Sequence, residues 1–350
     1  FEVAMDPDNY KDVTEVSNTY KYQLVSSYKE KTYLLAWSTT PWTKITTTAL
    51  AVNPKLTYTK VQFEGENYIL AKSTLEKVFV DKKYKKLEEI KGKDLVGLLY
   101  VPHYDFFEIV EGKKCFVVAG GDFVTADEGT GVVTIAPYGE DDMKLMEKEN
   151  IQIVMHVDDE GKFTQNVPNW AGMYYSKANP LINKDLEERG LLFDEKEITH
   201  SIATCWRCHE RLIYAPQDAW YVDIQKLKPE LKKNNEKVNW FPGHFKHGRF
   251  LKSMESAPDW CISRSRYWGS PVPVWECVCG ERFVAGSIKE LEEASGVKIK
   301  DLHKPEIDEV EVVCKSCSKK AKRVPEVLDS WMEAGSASFA ERHYPFEGKE

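Results

Sequence analysis

From Tyr20 to about Val154 the apolar positions fall in short runs, alternating with polar residues or unbroken, each closed by Gly, Pro, Asn or Asp. Runs of this length and period are those of strands. Strands are therefore expected at YKYQLV (20–25), TYLLAWST (32–39), LAVNP (50–54), TYTKVQF (57–63), ENYILA (66–71), CFVVAG (115–120) and GVVTIAP (131–137). Helical stretches interrupt them. STLEKVFVDKKYKKL (73–87) fits a helix capped by Ser73, and DDMKLMEKENI (141–151) fits another beginning near Asp141, with Met143, Met146 and Ile151 turned inward. VDDEGKF (157–163) is a turn, and SKANPLINKDLEERGLL (176–192) is a helix with a proline at its start. The pattern describes a compact β-barrel-like α+β domain.

The texture changes near His200. CWRCHERLIY (205–214) precedes a strand and then a helix in WYVDIQKLKPELKKN (220–234), a cysteine-bearing module runs from Trp275 to Val324, and the tail is rich in small residues. Boundaries are placed at 19/20, 199/200, 274/275 and 324/325.

A length of 350 residues with 42% hydrophobic content suits about two globular domains. The net charge of −8 excludes a protein that coats nucleic acid by bulk electrostatics, though Lys246, His247, Arg249 and Lys252 among Trp240, Phe241, Phe245 and Phe250 form a local patch suited to RNA. Neither a membrane-length apolar run nor a signal-peptide pattern appears, so a cytoplasmic location and no membrane partner are expected. The start at Phe1 suggests a piece of a longer chain.

Candidate chemistry concentrates in two segments. WSTTPWTKITTTALAVNP (37–54) sets seven Ser or Thr hydroxyls beside two indoles. Hydroxyls on a rigid turn hold a polar ligand and a water without a strong nucleophile or a metal, which points to hydrolysis by positioning. A segment that simply packs and bonds across strands is the plain alternative. In GTGVVTIAPYGEDD (129–142), Gly129 and Gly131 flank Thr130 and leave room for a ligand to approach closely. Of the two carboxylates at the following helix start, Asp141 reads as an N-cap and Asp142 as a group that binds an ammonium.

Six of eight cysteines are paired by spacing. Without a secretory signal, such pairs favour zinc over disulfides, because two thiolates from one tight turn can share a tetrahedral ion. Cys277, Cys279, Cys314 and Cys317 make a complete four-thiolate set. Cys205 and Cys208 make half of one, either with partners upstream in a parent chain or free of metal here.

WSTTPWT, GTGVVTIAP with its Asp pair, HSIATCWRC, PDWCISRSRYWG, DLHKPEIDEV and VLDSWMEAGSAS stand in an order that closely resembles the isoleucyl-tRNA synthetases, over nearly the whole chain. The resemblance implies a class I synthetase whose Rossmann catalytic domain is split by an editing insertion. Residues 1–19 would be the connection from the catalytic region, 20–199 the editing domain, and 200–274 a partial α/β Rossmann-type return with the half zinc site. Residues 275–324 would be the zinc module and 325–350 a catalytic-region remnant. HIGH-type and KMSKS-type motifs are missing, so these residues alone are not expected to make isoleucyl-adenylate; ATP and Mg2+ belong to the parent enzyme.

By the same resemblance the function is hydrolytic proofreading of mischarged valyl-tRNA(Ile). A hydrophobic pocket separates side chains differing by one methylene by only about 1–3 kcal/mol, a limit for which this synthetase family is the standard illustration, so a second sieve is needed. Asp142 would bind the α-ammonium. Thr39, Thr40 and Thr43 would hold the terminal ribose and the attacking water. Trp37 and Trp42 shape the turn, and Thr47, Gly129, Thr130, Gly131 and Thr134 complete the substrate surface. No general base is obvious, so a ribose hydroxyl of the tRNA is expected to orient the water. Arg264 and Arg266 suit the acceptor end. The chain departs from the resembled pattern at Thr134, where His is usual and helps exclude the larger amino acid, and at Thr47, where Asn is common. Expected partners are tRNA(Ile), isoleucine and valine as aminoacyl groups, and the remainder of the synthetase, which is expected to be a monomer. A non-catalytic tRNA-binding zinc module, or an editing fragment of a valyl or leucyl enzyme, are the alternatives.

Overall fold

The computed structural model describes residues 9–25, 30–127, 129–205, 208–344 and 346–347. The chain divides into two compact units, Phe1–Pro216 and Gln217–Glu350, each described by itself.

The first unit is built on nine strands: β1 (Tyr10–Gln23), β2 (Thr32–Ser38), β3 (Ala49–Val52), β4 (Thr57–Phe63), β5 (Glu66–Ala71), β6 (Lys85–Lys91), β7 (Val117–Gly120), β8 (Val132–Ile135) and β9 (Leu192–Ala203). They join in the order β6-β4-β5-β2-β8-β3-β7, while β1 pairs with β2 and with β9. The sheet curls as a half-barrel. The seven expected strands are all present; some alternate as a half-buried ladder does, while β2 and β3 are largely unbroken runs buried along their length. The long β1 and β9 pair from Tyr10↔Ala203 to Tyr20↔Leu192, so the boundaries drawn at 19/20 and 199/200 fall inside single strands.

The expected helix over 73–87 is different. A 3-10 turn at Lys72–Thr74 and a single helical turn at Leu75–Val78 are followed by Asp81 at φ +58°, which ends the helix. The Lys- and Glu-rich stretch then forms β6 on the open edge of β4, where exposed charges discourage further strand addition. Ser73 is not a cap; its hydroxyl reaches the Ala126 carbonyl at 3.4 Å. The helix Glu140–Lys148 begins at Gly139 rather than at Asp141, whose carboxylate is exposed and makes no capping bond. Met146 and Ile151 are buried as expected, Leu145 joins them, and Met143 is half-buried. The helix Tyr175–Glu188 holds Pro180 inside its span and buries Tyr175, Ala178, Ile182 and Leu186, a 3/4/4 spacing that faces one stripe to the sheet.

The second unit contains only antiparallel pairs among the described residues, where the resemblance implies a partial Rossmann-type region. Tyr221–Val222 pairs with Trp260–Cys261, and Ser263–Arg264 with Val327–Leu328. A four-stranded sheet runs Arg282–Val284, Val274–Glu276, Lys320–Arg323, Val312–Val313. Trp275, Leu291, Ile307, Val310 and Val312 form its core together with Cys277 and Cys314. No helix among the described residues is long and apolar enough to cross a membrane.

Candidate functional site

Pro41 starts a 3-10 helix, Pro41–Thr46, directly after β2, and every residue of it is buried. Proline suits that first position because its φ is already helical and its missing N–H has no partner to lose. Trp42 locks the turn, meeting Tyr138 edge-on at 4.4 Å and a tilted Tyr175 at 4.9 Å between ring centroids, with its backbone N–H on Asn179 Oδ1 at 3.1 Å. His156 closes it: Nε2 donates to the Trp42 carbonyl at 3.0 Å, which leaves the single Nδ1 lone pair shared between the Thr46 and Tyr138 hydroxyls at 2.8 and 3.0 Å. Burial drives this imidazole down to about 4, so it is neutral.

The hydroxyls of the turn form a chain. Ser38 Oγ lies 3.1 Å from Thr40 Oγ1, which lies 3.1 Å from Thr43 Oγ1, and Thr43 donates to the Thr40 carbonyl at 2.9 Å. Thr134 comes alongside because β8 pairs with β2 at Trp37↔Val133 and with β3 at Leu50↔Thr134. The helix Glu140–Lys148 brings Asp142, whose Oδ2 accepts the Ala136 N–H at 3.2 Å. Gly139 makes way for it, since a Cβ there would stand 3.3 Å from Asp142 Cγ. Trp37, Thr39, Thr40, Thr43, Thr134 and Asp142 thus share the wall of one cavity of about 390 Å³.

Its electrostatics are unusual. Burial raises the Asp142 carboxyl to about 6, against the opposing pull of the Ala136 amide and the Lys44 charge. Lys44 is fully buried behind the threonines, with Nζ 3.0 Å from Thr43 Oγ1 and 2.5 Å from Thr134 Oγ1. Burial lowers it to about 7, with Asp142 pulling the other way. The cavity lining also includes His200 and Arg211, which Glu15 holds at 2.6 and 2.7 Å. Burial raises the Glu15 carboxyl, but those two partners outweigh it and leave it below its ordinary value. A cavity that offers one anion, a row of hydroxyls and a cationic rim can hold a cationic amino group, a polyol and a phosphate.

Four of the expected residues lie elsewhere. Thr47 is buried and donates to the Thr43 carbonyl at 3.0 Å, closing the turn from within. Thr130 is buried and its hydroxyl bonds to Val132. Gly129 (φ +65°), which lines a separate cavity with Trp37, and Gly131 (φ +73°) both give room to neighbouring protein: a Cβ would meet the Trp37 ring at 2.9 Å and the Ala71 Cβ at 2.4 Å. Sequence reasoning missed Lys44, Tyr138, His200 and Arg211. Only Lys44, a charge amid Thr and Ile, left any trace in the sequence.

Residues 4–350 match the family model described as tRNA synthetases class I (I, L, M and V). The chain belongs to the class I tRNA synthetases. It is 45% identical over 345 residues to the isoleucine--tRNA ligase of Clostridium novyi and 44% identical to that of Clostridium acetobutylicum, in each case over 97% of this chain and 33% of the relative. The chain therefore spans about a third of the length of these curated relatives. The editing domain of the P. falciparum cytosolic leucyl-tRNA synthetase overlays 51% of this chain and 98% of its own, at a TM-score of 0.41 and 10% identity.

In this synthetase chain the four cysteines of the second unit converge: the Sγ atoms of Cys277, Cys279, Cys314 and Cys317 all lie within 4.8 Å of one another. Two of the separations are 3.4 and 3.6 Å. Zn–S bonds of about 2.3 Å at tetrahedral angles require sulfurs about 3.8 Å apart, so the donor set fits zinc. The thiols share protons: the Cys317 and Ser316 amides lower the Cys314 thiol, while Cys277 and Cys279 beside it raise the Cys317 thiol, so a metal would take the place of the shared protons. The Cys314 turn is made by Cys314 N–H to the Lys319 carbonyl and Ser318 N–H to the Cys314 carbonyl, with Ser318 at φ +59°. Cys205 repeats it: its N–H bonds to the Glu210 carbonyl, His209 N–H bonds back to Cys205, and His209 has φ +60°. Arg264 turns inward, its guanidinium bonded to Asp329 at 2.6 Å and to the Cys261 and Ser263 carbonyls, while Arg266 is exposed beside Tyr267 and Trp268.

Proposed function

We propose that this chain carries the proofreading site of an isoleucine--tRNA ligase and hydrolyses the ester of mischarged valyl-tRNA(Ile). The observation that carries the reading is the Asp142 carboxylate set in one cavity with the hydroxyl row of Thr39, Thr40, Thr43 and Thr134. Asp142 anchors the α-ammonium of the aminoacyl group, and a buried anion is best satisfied by such a ligand. The threonine hydroxyls orient the terminal ribose and a water against the ester carbonyl, so that much of the catalysis is positional. Arg211, held by Glu15, faces the phosphate side, and the exposed Arg266 serves the acceptor stem. Thr134 sets the upper size limit of the sieve. Within the parent enzyme, which would isoleucylate tRNA(Ile) with ATP and Mg2+ in the cytoplasm, Cys277, Cys279, Cys314 and Cys317 hold a structural zinc. Cys205 and Cys208 offer half of a second site.

The test is release of amino acid from preformed valyl- and isoleucyl-tRNA(Ile). Valyl ester cleavage faster than isoleucyl, lost in Asp142→Ala, is the expected result. Undiminished valyl cleavage in that variant removes Asp142 as the anchor, and absence of cleavage by the unaltered protein removes the proofreading reading.

A further inference from the structure

Lys44 is the one group of this site with no role so far, and its surroundings are specific. It is fully buried, its Nζ touches two hydroxyls that line the cavity, and no carboxylate lies within ion-pair distance of it among the described residues. The two hydroxyls are not equivalent. Thr43 has its single proton committed to the Thr40 carbonyl, so its oxygen can only accept from Lys44. Thr134 Oγ1 makes no other hydrogen bond among the described residues, so its proton is available to a lysine amine and its second lone pair to a water in the cavity. Lys44 donates to Thr134 Oγ1 here; once it gives up a proton, a neutral amine keeps two N–H donors and gains one lone pair, which can accept the otherwise uncommitted Thr134 hydroxyl proton.

We propose that Lys44 is the positioning residue for the hydrolytic water, taking up through the Thr134 hydroxyl the proton that the water gives up. The proposal rests on the deacylation reading above. In the step, a water proton passes to Thr134 Oγ1 as the Thr134 proton passes to Lys44 Nζ, and the water oxygen bonds to the ester carbonyl carbon. The bond from that carbon to the ribose oxygen then breaks. The ribose oxygen receives the proton back from Lys44 through the same hydroxyl, leaving a free amino acid and a ribose hydroxyl.

The charges around Lys44 favour the amine form at the right moment. Asp142 faces it from the helix Glu140–Lys148, and Tyr20 presents its ring from β1 with the centroid 5.6 Å away. Burial holds the Tyr20 phenol well above its ordinary value, and it holds His103 at about 3 and His156 at about 4, so all three are neutral. Burial favours the amine form of Lys44 and Asp142 is the charge that opposes it. A substrate ammonium on Asp142 would weaken that opposition and add a like charge, shifting Lys44 further towards the amine.

The experiment is steady-state hydrolysis of valyl-tRNA by the intact protein from about pH 5.5 to about pH 8.5, with kcat and KM measured separately. Lys44→Met removes the amine and the opposing charge together. It should lower kcat about 10²-fold or more without raising KM, and the rise of kcat through neutral pH should flatten. Thr134→Val should reproduce the loss with Lys44 in place, and Thr134→Ser should restore it. A Lys44→Met protein with the original kcat and pH rise overturns the proposal. Should that variant not fold, an unimpaired Thr134→Val protein overturns it. No hydrolysis by the unaltered protein overturns the deacylation reading, and this proposal falls with it.

Discussion

Replacing Asp142 by Asn tests the physics of the cavity apart from its chemistry. Burial raises this carboxyl from 3.8 to about 6, so between those values the folded protein holds a proton that the unfolded chain has released. Stability from this group is therefore fully present below 3.8 and is lost as pH rises through about 6. A shift of two units corresponds to about 3 kcal/mol at neutral pH. Lys44 recovers part of the cost, and its charge loses that partner in the variant, so a gain of about 1–3 kcal/mol is expected for Asp142→Asn near pH 7.5. Near pH 4 the two proteins should be nearly equal, since an amide and a protonated carboxyl are alike in shape and charge. Lys44 contributes in the other direction: its lowered value makes stability rise with pH from about 7 towards 10.5, but in both proteins. Urea denaturation at several pH values measures the difference directly. A variant that is less stable at pH 7.5, or a difference that does not change with pH, refutes the account of Asp142 as a costly half-buried anion kept for a ligand.

Cys314→Ser should lower bound zinc by one ion per chain, measured by elemental analysis, and should destabilise the second unit selectively, because metal binding there is folding free energy. A strong chelator should have the same effect on the unaltered protein. Gly129→Ala should cost about 2 kcal/mol or more and lower the melting temperature, since the new Cβ meets the Trp37 ring at 2.9 Å from a backbone at φ +65°. Trp42→Ala should cost about 3–5 kcal/mol and loosen the turn, which a rise in proteolysis near residues 41–46 would register.

The strands were legible because their period of two survives in the sequence whatever packs above them, and the four-thiolate set because cysteine spacing is local. β6 was not. Its Lys and Glu residues carry no apolar period, and only the open edge of β4 makes them a strand. The glycines were read for their freedom, rightly, but the bodies that occupy the space are Trp37 and the Ala71 methyl, brought there by pairing across β2, β5 and β8. Asp142 and Thr39, Thr40 and Thr43 are about a hundred residues apart in sequence and meet because β8 pairs with β2 at Trp37↔Val133 and with β3 at Leu50↔Thr134. His200 and Arg211 reach the cavity only because β9 doubles back on β1. Lys44 was overlooked because a lysine is read as surface by default.

That lysine changes what kind of site this is. A cavity with one buried carboxylate and inert hydroxyls would bind an ammonium strongly at any pH above 6 and would act by placement alone. Here a second buried charge of opposite sign stands within influence of the first yet is bonded to hydroxyls instead of to it. Direct pairing would neutralise both and close the cavity to a cation. The separation leaves each charge partly uncompensated, at about 6 and about 7, so both titrate where a small change in local charge moves them most. Under the proposed deacylation an arriving ammonium would be such a change, completing the anion and pushing Lys44 towards its amine form. Binding and activation of the water would then be coupled through Lys44, and cleavage would require a seated amino group.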